Sequence, residues 1–132
     1  MNLRSATAAL LIALLPSSLM AQDQSFSSEG GQISFASPSG NIACSYFPAG
    51  GPVLQCDRLE PSHDRFLLRS GGGVEPVGEV SDGGCCSTGN VLDYGNTWRE
   101  GPFNCRSERT GMTCRRDDGA GFFLSRLKVT IF

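Results

Sequence analysis

The chain has 132 residues, with 13 acidic and 11 basic side chains, one histidine, 17 glycines and six cysteines. This length is typical of one domain rather than two. The near-neutral charge excludes electrostatic capture of nucleic acid as a default function. A content of 39% hydrophobic and 18% charged residues excludes a chain that is disordered by composition.

The N-terminal segment has the pattern of a secretory signal peptide. Residues 1–4 are cationic, residues 6–15 are almost entirely apolar, and Ala21 is a small residue suited to signal peptidase. The apolar run is about half the ~20 residues that a membrane span needs. We therefore expect a signal peptide at residues 1–21, cleavage after Ala21, a periplasmic or secreted mature protein, and no membrane span after cleavage.

The remaining 111 residues would then lie in an oxidising compartment, where six cysteines indicate a disulfide framework. Residues 22–32 are small and polar, and they predict a flexible leader. Glycine and proline make up about a fifth of the remainder, which favours short strands joined by turns. We predict one all-β domain over residues 33–132, a small disulfide-stabilised antiparallel β-sandwich or partly closed barrel with glycine-rich loops.

Two pairs of cysteines occupy facing positions of predicted β-hairpins. Residues 41–47 and 53–58 flank a loop centred on Gly50, and this register places Cys44 opposite Cys56. Directly opposed residues in an antiparallel pair have Cα atoms about 4.5–5.5 Å apart, within reach of a disulfide. The position of the turn and the positions of the cysteines therefore both predict a Cys44–Cys56 disulfide.

The C-terminal third repeats this arrangement. Residues 102–108 and 112–116 flank a turn at 109–111, which places Cys105 opposite Cys114 and predicts a second disulfide. Residues 122–132 predict one further long strand. We therefore expect a three-stranded meander over residues 101–132.

The adjacent cysteines Cys85 and Cys86 allow three interpretations. They can form a vicinal disulfide that acts as a redox switch or clamp, remain a free or mispaired thiol couple, or form long-range bonds that would disturb the two hairpins. A thioredoxin-like site is not predicted, because the sequence lacks the Cys-x-x-Cys spacing.

Catalytic and metal-binding patterns are weak. His63 is the single histidine and lies in a polar stretch, so we interpret it as a surface residue. No serine has the Gly-x-Ser-x-Gly surroundings of a nucleophile, and zinc requires four cysteine or histidine ligands at set spacings. We predict no catalytic residue, no metal and no cofactor.

Three features suggest binding instead: the serine-rich turn at residues 37–41, an aromatic segment beginning at Tyr94, and a basic C-terminal part. Residues 97–132 carry a net charge of +3, whereas residues 22–96 carry −6. The cations can form a patch for an anionic polymer or an acidic protein, or simply a solvated face. The aromatic side chains can form a ligand platform if exposed, or core if buried. The candidate binding residues are Ser37, Ser39, Asn41, Tyr94, Trp98, Arg99, Arg115, Arg116 and Arg126.

Several spaced segments together resemble a bacterial family of secreted proteins and lipoproteins that carries a domain of unknown function. These segments are Ser37-Pro38-Ser39-Gly40-Asn41-Ile42-x-Cys44, Tyr94-Gly95-x-x-Trp98, Cys105-x-Ser107, Gly111-x-Thr113-Cys114 and Gly121-Phe122-x-Leu124-Ser125-Arg126. The resemblance implies an exported domain stabilised by disulfides, with no assigned activity. The chain departs from the family at Ala120, where the family often has histidine, and in the adjacency of Cys85 and Cys86.

We therefore predict a non-enzymatic binding module of the envelope or the extracellular space, one version of which is an inhibitor of a lytic enzyme. Its partner would be a protein or polymer of that compartment. The alternative is a small enzyme or thiol-redox protein that uses Cys85 and Cys86.

Overall fold

The computed structural model describes residues 2–3, 8–16, 20–81 and 89–132. Ten β-strands form two antiparallel five-stranded sheets, and the described residues contain no helix. The sheets pack face to face over one shared hydrophobic core and do not close into a barrel. The all-β prediction is therefore confirmed, in its sandwich form. No helix long and apolar enough to cross a membrane occurs in this part of the chain.

The first sheet is a meander in which each strand pairs with the next. Glycine- and proline-containing turns separate the strands at regular intervals, as the composition predicts. The strands are β1 Ile33–Ala36, β2 Ile42–Phe47, β3 Val53–Arg58, β4 Asp64–Arg69 and β5 Glu75–Glu79.

The second sheet is another five-stranded meander, built from β6 Thr97–Glu100, β7 Phe103–Glu108, β8 Gly111–Arg116, β9 Gly121–Leu124 and β10 Val129–Ile131. The single long strand predicted over residues 122–132 is wrong. A turn divides it, in which the Ser125 amide donates to the Lys128 carbonyl at 2.8 Å and the Lys128 amide donates to Ser125 Oγ at 3.0 Å. This turn contains no glycine or proline, so the sequence gives no turn signal within a run of residues that favour strand.

Both predicted hairpin registers are confirmed. Cys44 lies opposite Cys56 and Cys105 lies opposite Cys114, and each pair forms a disulfide with a Cα–Cα distance of 4.1 Å. Cys85 and Cys86 lie outside the described residues.

A matching row of side chains crosses each sheet at the level of its disulfide. The first row is Phe35, Cys44, Cys56 and Phe66, and the second is Trp98, Cys105, Cys114 and Phe122. The rows stack in the core, with ring centroids 4.9 Å apart at one flank and 5.9 Å at the other. Between the flanks, the two disulfides contact each other through sulfurs 3.8 Å apart. The two meanders therefore share one internal arrangement, which fixes how the sheets face each other.

Residues of the segment 22–32 contact the sandwich through hydrogen bonds and aromatic stacking. The Gln24 amide donates to the Thr97 carbonyl at 2.8 Å, and its side chain bonds the Val91 carbonyl and the Asp93 amide. The Phe26 ring stacks on Phe35 with centroids 5.6 Å apart. Gln24 and Phe26 thus connect this segment to both sheets.

Candidate functional site

A cleft of about 580 Å³ lies at the end of the sandwich where the β1–β2, β7–β8 and β9–β10 turns meet. Loops held on a rigid sheet scaffold are common places for binding sites. The lining residues are Ser37, Ser39, Asn41, Ile42, Tyr94, Glu108, Arg109, Thr110, Gly111, Leu124, Ser125, Arg126 and Leu127. We call this the terminal cleft.

The β1–β2 turn forms one wall and is held by its own side chains. Ser37 Oγ accepts a hydrogen bond from the Ile42 amide at 3.1 Å, and Ser39 Oγ accepts one from the Asn41 amide at 3.2 Å. Gly40 has a φ of 74°, in the left-handed region that glycine adopts without strain. The sequence of this turn therefore builds a rigid wall.

Asn41 ties this wall to the β3–β4 connection. Its Oδ1 accepts a hydrogen bond from the Glu60 amide at 2.8 Å, and its Nδ2 donates to the Glu60 carbonyl at 3.4 Å. Asn41 is 9% exposed. Its amide is therefore used within the protein, and its contribution to the cleft is to position the wall.

Tyr94 and Arg109 form the facing wall as a stacked pair. The guanidinium carbon of Arg109 lies 4.9 Å from the centroid of the Tyr94 ring, a cation–π geometry. The following residue anchors the segment, because the Gly95 amide donates to the Ser107 carbonyl at 2.7 Å. The stack orients a cation at the cleft while the ring supplies an apolar surface.

Apolar side chains form the floor and part of the rim. Ile42 from the first sheet is 3% exposed and Leu124 from the second is fully buried. Leu127, at the tip of the β9–β10 turn, is 95% exposed and stands beside Arg126. The terminal cleft thus combines an apolar base with a projecting apolar residue.

The unpaired charge of the lining is positive. The carboxylate of Glu108 accepts a hydrogen bond from Arg106 Nε at 2.8 Å. Among the described residues, Arg109 and Arg126 make no ion pair with a carboxylate. The mouth of the cleft is therefore cationic although the whole chain carries −2.

A second hollow of about 370 Å³ shares Tyr94, Glu108 and Arg109 with the terminal cleft. Its other lining residues include Met20 and Gln22. The expected cleavage after Ala21 would remove Met20 from this wall and widen the opening beside Arg109.

Five of the nine sequence-predicted binding residues line the terminal cleft. They are Ser37, Ser39, Asn41, Tyr94 and Arg126, which come from both sheets and from three distant parts of the chain. The turn residues Glu108, Arg109 and Thr110 and the exposed Leu127 were not predicted. Arg109 carries two sequence signals, the Arg109-Thr110-Gly111 turn and its place among the basic residues of the C-terminal part. The convergence of turns from two sheets is a tertiary feature that neither signal contains.

The other four predicted residues lie outside the lining. Trp98 is 1% exposed and belongs to the core. Arg99 is exposed with its Nε 3.8 Å from Asp23, and the Arg115 guanidinium stacks on the Phe132 ring at 4.4 Å.

Arg116 links the two sheets. Its Nη1 donates to the Arg69 carbonyl on β4 at 2.8 Å, and its Nε and Nη2 bind Asp118 at 2.8 and 2.6 Å. These hydrogen bonds hold the pKa of Asp118 below its usual range and raise the pKa of Arg116. Arg116 is therefore engaged within the protein and carries a structural role.

A separate polar cluster lies on the β3–β4 hairpin. Asp57 is fully buried and binds His63 Nε2 at 2.6 Å and Arg65 Nε at 2.9 Å. His63 is therefore a partly buried hydrogen-bond partner of Asp57 rather than the surface residue that was expected. The neighbouring Ser62 hydroxyl donates to Asp64 at 2.8 Å and not to His63, so the cluster lacks the relay of a serine hydrolase.

The four described cysteine sulfurs lie within 4.8 Å of one another in the core. Such a cluster has the composition of a structural zinc site. Each sulfur is bonded in a disulfide here, so none is a thiolate ligand, and the cluster contributes to packing.

Residues 70–132 match the model of a family described as a family of unknown function, DUF6636. The matched stretch is just under half of the chain, and it contains β5, the whole second sheet and two of the three turns of the terminal cleft. No curated protein and no solved structure matches the chain. Over its C-terminal part the chain is therefore similar to a family without an assigned activity.

Proposed function

We propose that the protein is an exported, non-enzymatic binding module of the bacterial envelope or extracellular space, and that the terminal cleft is its binding site. One observation carries this proposal: Ser37, Ser39, Asn41, Tyr94 and Arg126, selected from sequence, line one cleft. Structural turns alone need not share a concave surface. Their convergence supports a common ligand.

The cleft has the rigidity that a binding site requires. The β1–β2 turn is held by its own hydrogen bonds, and the β2–β3 and β7–β8 hairpins are each closed by a disulfide. A site formed before the ligand arrives loses little conformational entropy on binding. The fold therefore favours recognition by a preformed surface.

The chemistry of the described lining favours binding over catalysis. It contains no histidine or cysteine, and its one carboxylate, Glu108, is bonded to Arg106. General acid–base catalysis needs a group that is free to exchange a proton with the substrate. The lining instead offers guanidinium, hydroxyl and apolar surface, which are recognition groups.

Export is supported by the N-terminal sequence pattern, and the two disulfides are compatible with an oxidising location. An inhibitor of a lytic enzyme is one form that such a module can take. Its contact surface would then include the β9–β10 turn, where Leu127 projects.

The test is retention of envelope and medium fractions on the immobilised protein, compared between variants. Tyr94→Ala removes the ring beneath Arg109 and should reduce retention of the specific component about tenfold. Arg69→Gln is the matched control, because Arg69 is an exposed residue at the end of β4 that lies away from the cleft. Equal retention by Tyr94→Ala, the control and the native protein, with unchanged thermal unfolding, would overturn the assignment of the cleft.

A further inference from the structure

The polar groups of the terminal cleft divide into those already used and those available to a ligand. Three are used: Glu108 binds Arg106, the Asn41 amide binds Glu60, and the Ser125 hydroxyl donates to the Lys128 carbonyl at 3.3 Å. The carboxylate and amide oxygens of the lining are therefore engaged. What remains decides which ligand the cleft can recognise.

The available groups supply hydrogen-bond donors. The guanidiniums of Arg109 and Arg126 have donors and no acceptor. Ser37 Oγ and Ser39 Oγ are 3.1 Å apart, and each also accepts a backbone amide. The hydrogen bond between the two serines uses one of their two hydroxyl hydrogens, so the other hydroxyl hydrogen is available to another acceptor. Ser39 is exposed at the cleft and is placed to direct it there.

A second observation lies beneath the floor. Two buried polar atoms of the described chain have no hydrogen-bond partner, Arg58 Nε and Ser107 Oγ. Arg58 pairs across the strands with the floor residue Ile42. Ser107 pairs across the strands with Met112, which in turn pairs with the floor residue Leu124. Both atoms can donate a hydrogen bond. Neither residue lines the cleft, so these two donors belong to the layer beneath it.

The cations continue beyond the lining. Lys128 is exposed two residues after Arg126 on the same turn, while Arg109 stands on the adjacent β7–β8 turn. A single small anion would contact only part of this set. An extended ligand with repeated negative charges can contact Arg109, Arg126 and Lys128 together.

We infer that the ligand of the terminal cleft is an anionic polymer whose carboxylate or phosphate groups bind Arg109 and Arg126. This inference rests on the proposed function, because it takes the cleft as the binding site. Guanidinium groups bind carboxylate and phosphate with directed, charge-assisted hydrogen bonds, so the two arginines that make no ion pair are the groups of the lining that select an anion.

The experiment titrates the purified protein by calorimetry with four probes. Polygalacturonate presents carboxylates, polyphosphate presents phosphates, dextran is a neutral polymer, and inorganic phosphate is a single small anion. One of the two polyanions should bind. Its affinity should fall as the salt concentration is raised, because salt screens the attraction between exposed charges. Dextran and inorganic phosphate should bind at least tenfold more weakly.

Arg109→Gln and Arg126→Gln should each weaken binding of that polyanion about tenfold, whereas Arg69→Gln should leave it unchanged. Equal binding of dextran would overturn the inference, as would failure of both polyanions or binding that is insensitive to the two cleft arginines. Vesicles of phosphatidylglycerol with phosphatidylcholine form a separate arm. If these vesicles bind and the soluble polyanions do not, a membrane surface replaces the polymer.

The two proposals fail in different ways. If Tyr94→Ala loses envelope retention while the two arginine variants keep it, the cleft remains the binding site and the anionic ligand is wrong. If all three cleft variants retain the component equally, the cleft itself is wrong.

Discussion

Gly121 occupies a position where the two strands of a hairpin leave no room for a side chain. A Cβ at this residue would overlap the backbone carbonyl oxygen of Cys114 on β8. Gly73, in the β4–β5 turn, has open space around the same position. These contacts give a physical reason for the glycine in the Gly121-Phe122-x-Leu124 segment.

Gly121→Ala should therefore lower the free energy of unfolding by about 2 kcal/mol or more, because backbone must move to admit the methyl group. Gly73→Ala should be neutral or slightly stabilising, because alanine restricts the unfolded chain. Urea unfolding of both variants measures the difference. Equal stability of the two variants would show that β8 and β9 are not packed as described.

The negative charge of Asp64, on β4, is stabilised by folding. Hydrogen bonds from Arg58 and from Ser62 hold the pKa of Asp64 below its usual range of about 3.8, against the opposing effect of burial. A carboxyl with a lowered folded pKa stabilises the protein fully above the unfolded pKa. This stabilisation is lost as pH falls through the folded value.

The native protein should consequently lose stability below about pH 4. Asp64→Asn should be less stable than the native protein at pH 7 by about 2 kcal/mol, since Arg58 loses its partner. The difference should shrink at pH 3. Glu100→Gln, at an exposed residue, is the control for charge alone. A difference that is the same at both pH values would contradict the pairing; chemical denaturation at each pH measures it.

At the scale of single residues, the sequence could identify some of the cleft and not the rest. Ser37, Ser39 and Asn41 stand out because a turn needs their side chains, and Arg126 because it is one of the clustered cations. Trp98 could not be assigned, because an aromatic residue in a small domain suits both a platform and a core. Trp98 belongs to the core because it is buried against Phe35, a residue of the other sheet whose position the sequence does not reveal.

At the scale of elements, the two cysteine hairpins were predictable because two independent constraints fix each register. The turn length sets which residues face each other, and the cysteines must meet. The division between β9 and β10 had no such signal. Its turn is closed by the Ser125 hydroxyl, within a run of residues with strong strand preference.

Each disulfide should contribute comparably to stability. The bonds close loops with sequence separations of 12 and 9 residues, for which chain entropy predicts about 3 kcal/mol each. Cys44→Ala with Cys56→Ala should therefore lower the free energy of unfolding by at least this amount, as should Cys105→Ala with Cys114→Ala. Guanidinium unfolding measures both. A loss below 1 kcal/mol from either double variant would contradict a stabilising role for that bond.

At the scale of the molecule, the sandwich is two five-stranded meanders that carry the same aromatic–disulfide–aromatic row on equivalent strands. Neither meander forms the terminal cleft alone. The first supplies the serine-rich wall, and the second supplies the cationic turns. The site therefore depends on how the sheets stack, which explains why sequence identified its parts without showing that they meet.

The cationic character of the terminal cleft also depends on how the two sheets stack. The sequence divides into an acidic first part and a basic second part, and stacking places exposed cations of the second sheet beside the neutral β1–β2 turn. An acidic chain thereby presents a cationic cleft. Long-range repulsion by the acidic sheet and local attraction at the cleft would together favour ligands that dock end-on at the turns.

The most direct test of the account is where a bound ligand perturbs the backbone, measured as amide chemical-shift changes in the ¹⁵N-labelled protein titrated with the component retained from the envelope or with the polyanion that binds. The largest changes should occur in the three turns of the terminal cleft, at residues 37–42, 108–111 and 124–128, and at Tyr94. Changes centred instead on the β4–β5 turn at residues 70–73, or on Arg115 and Phe132, would contradict it.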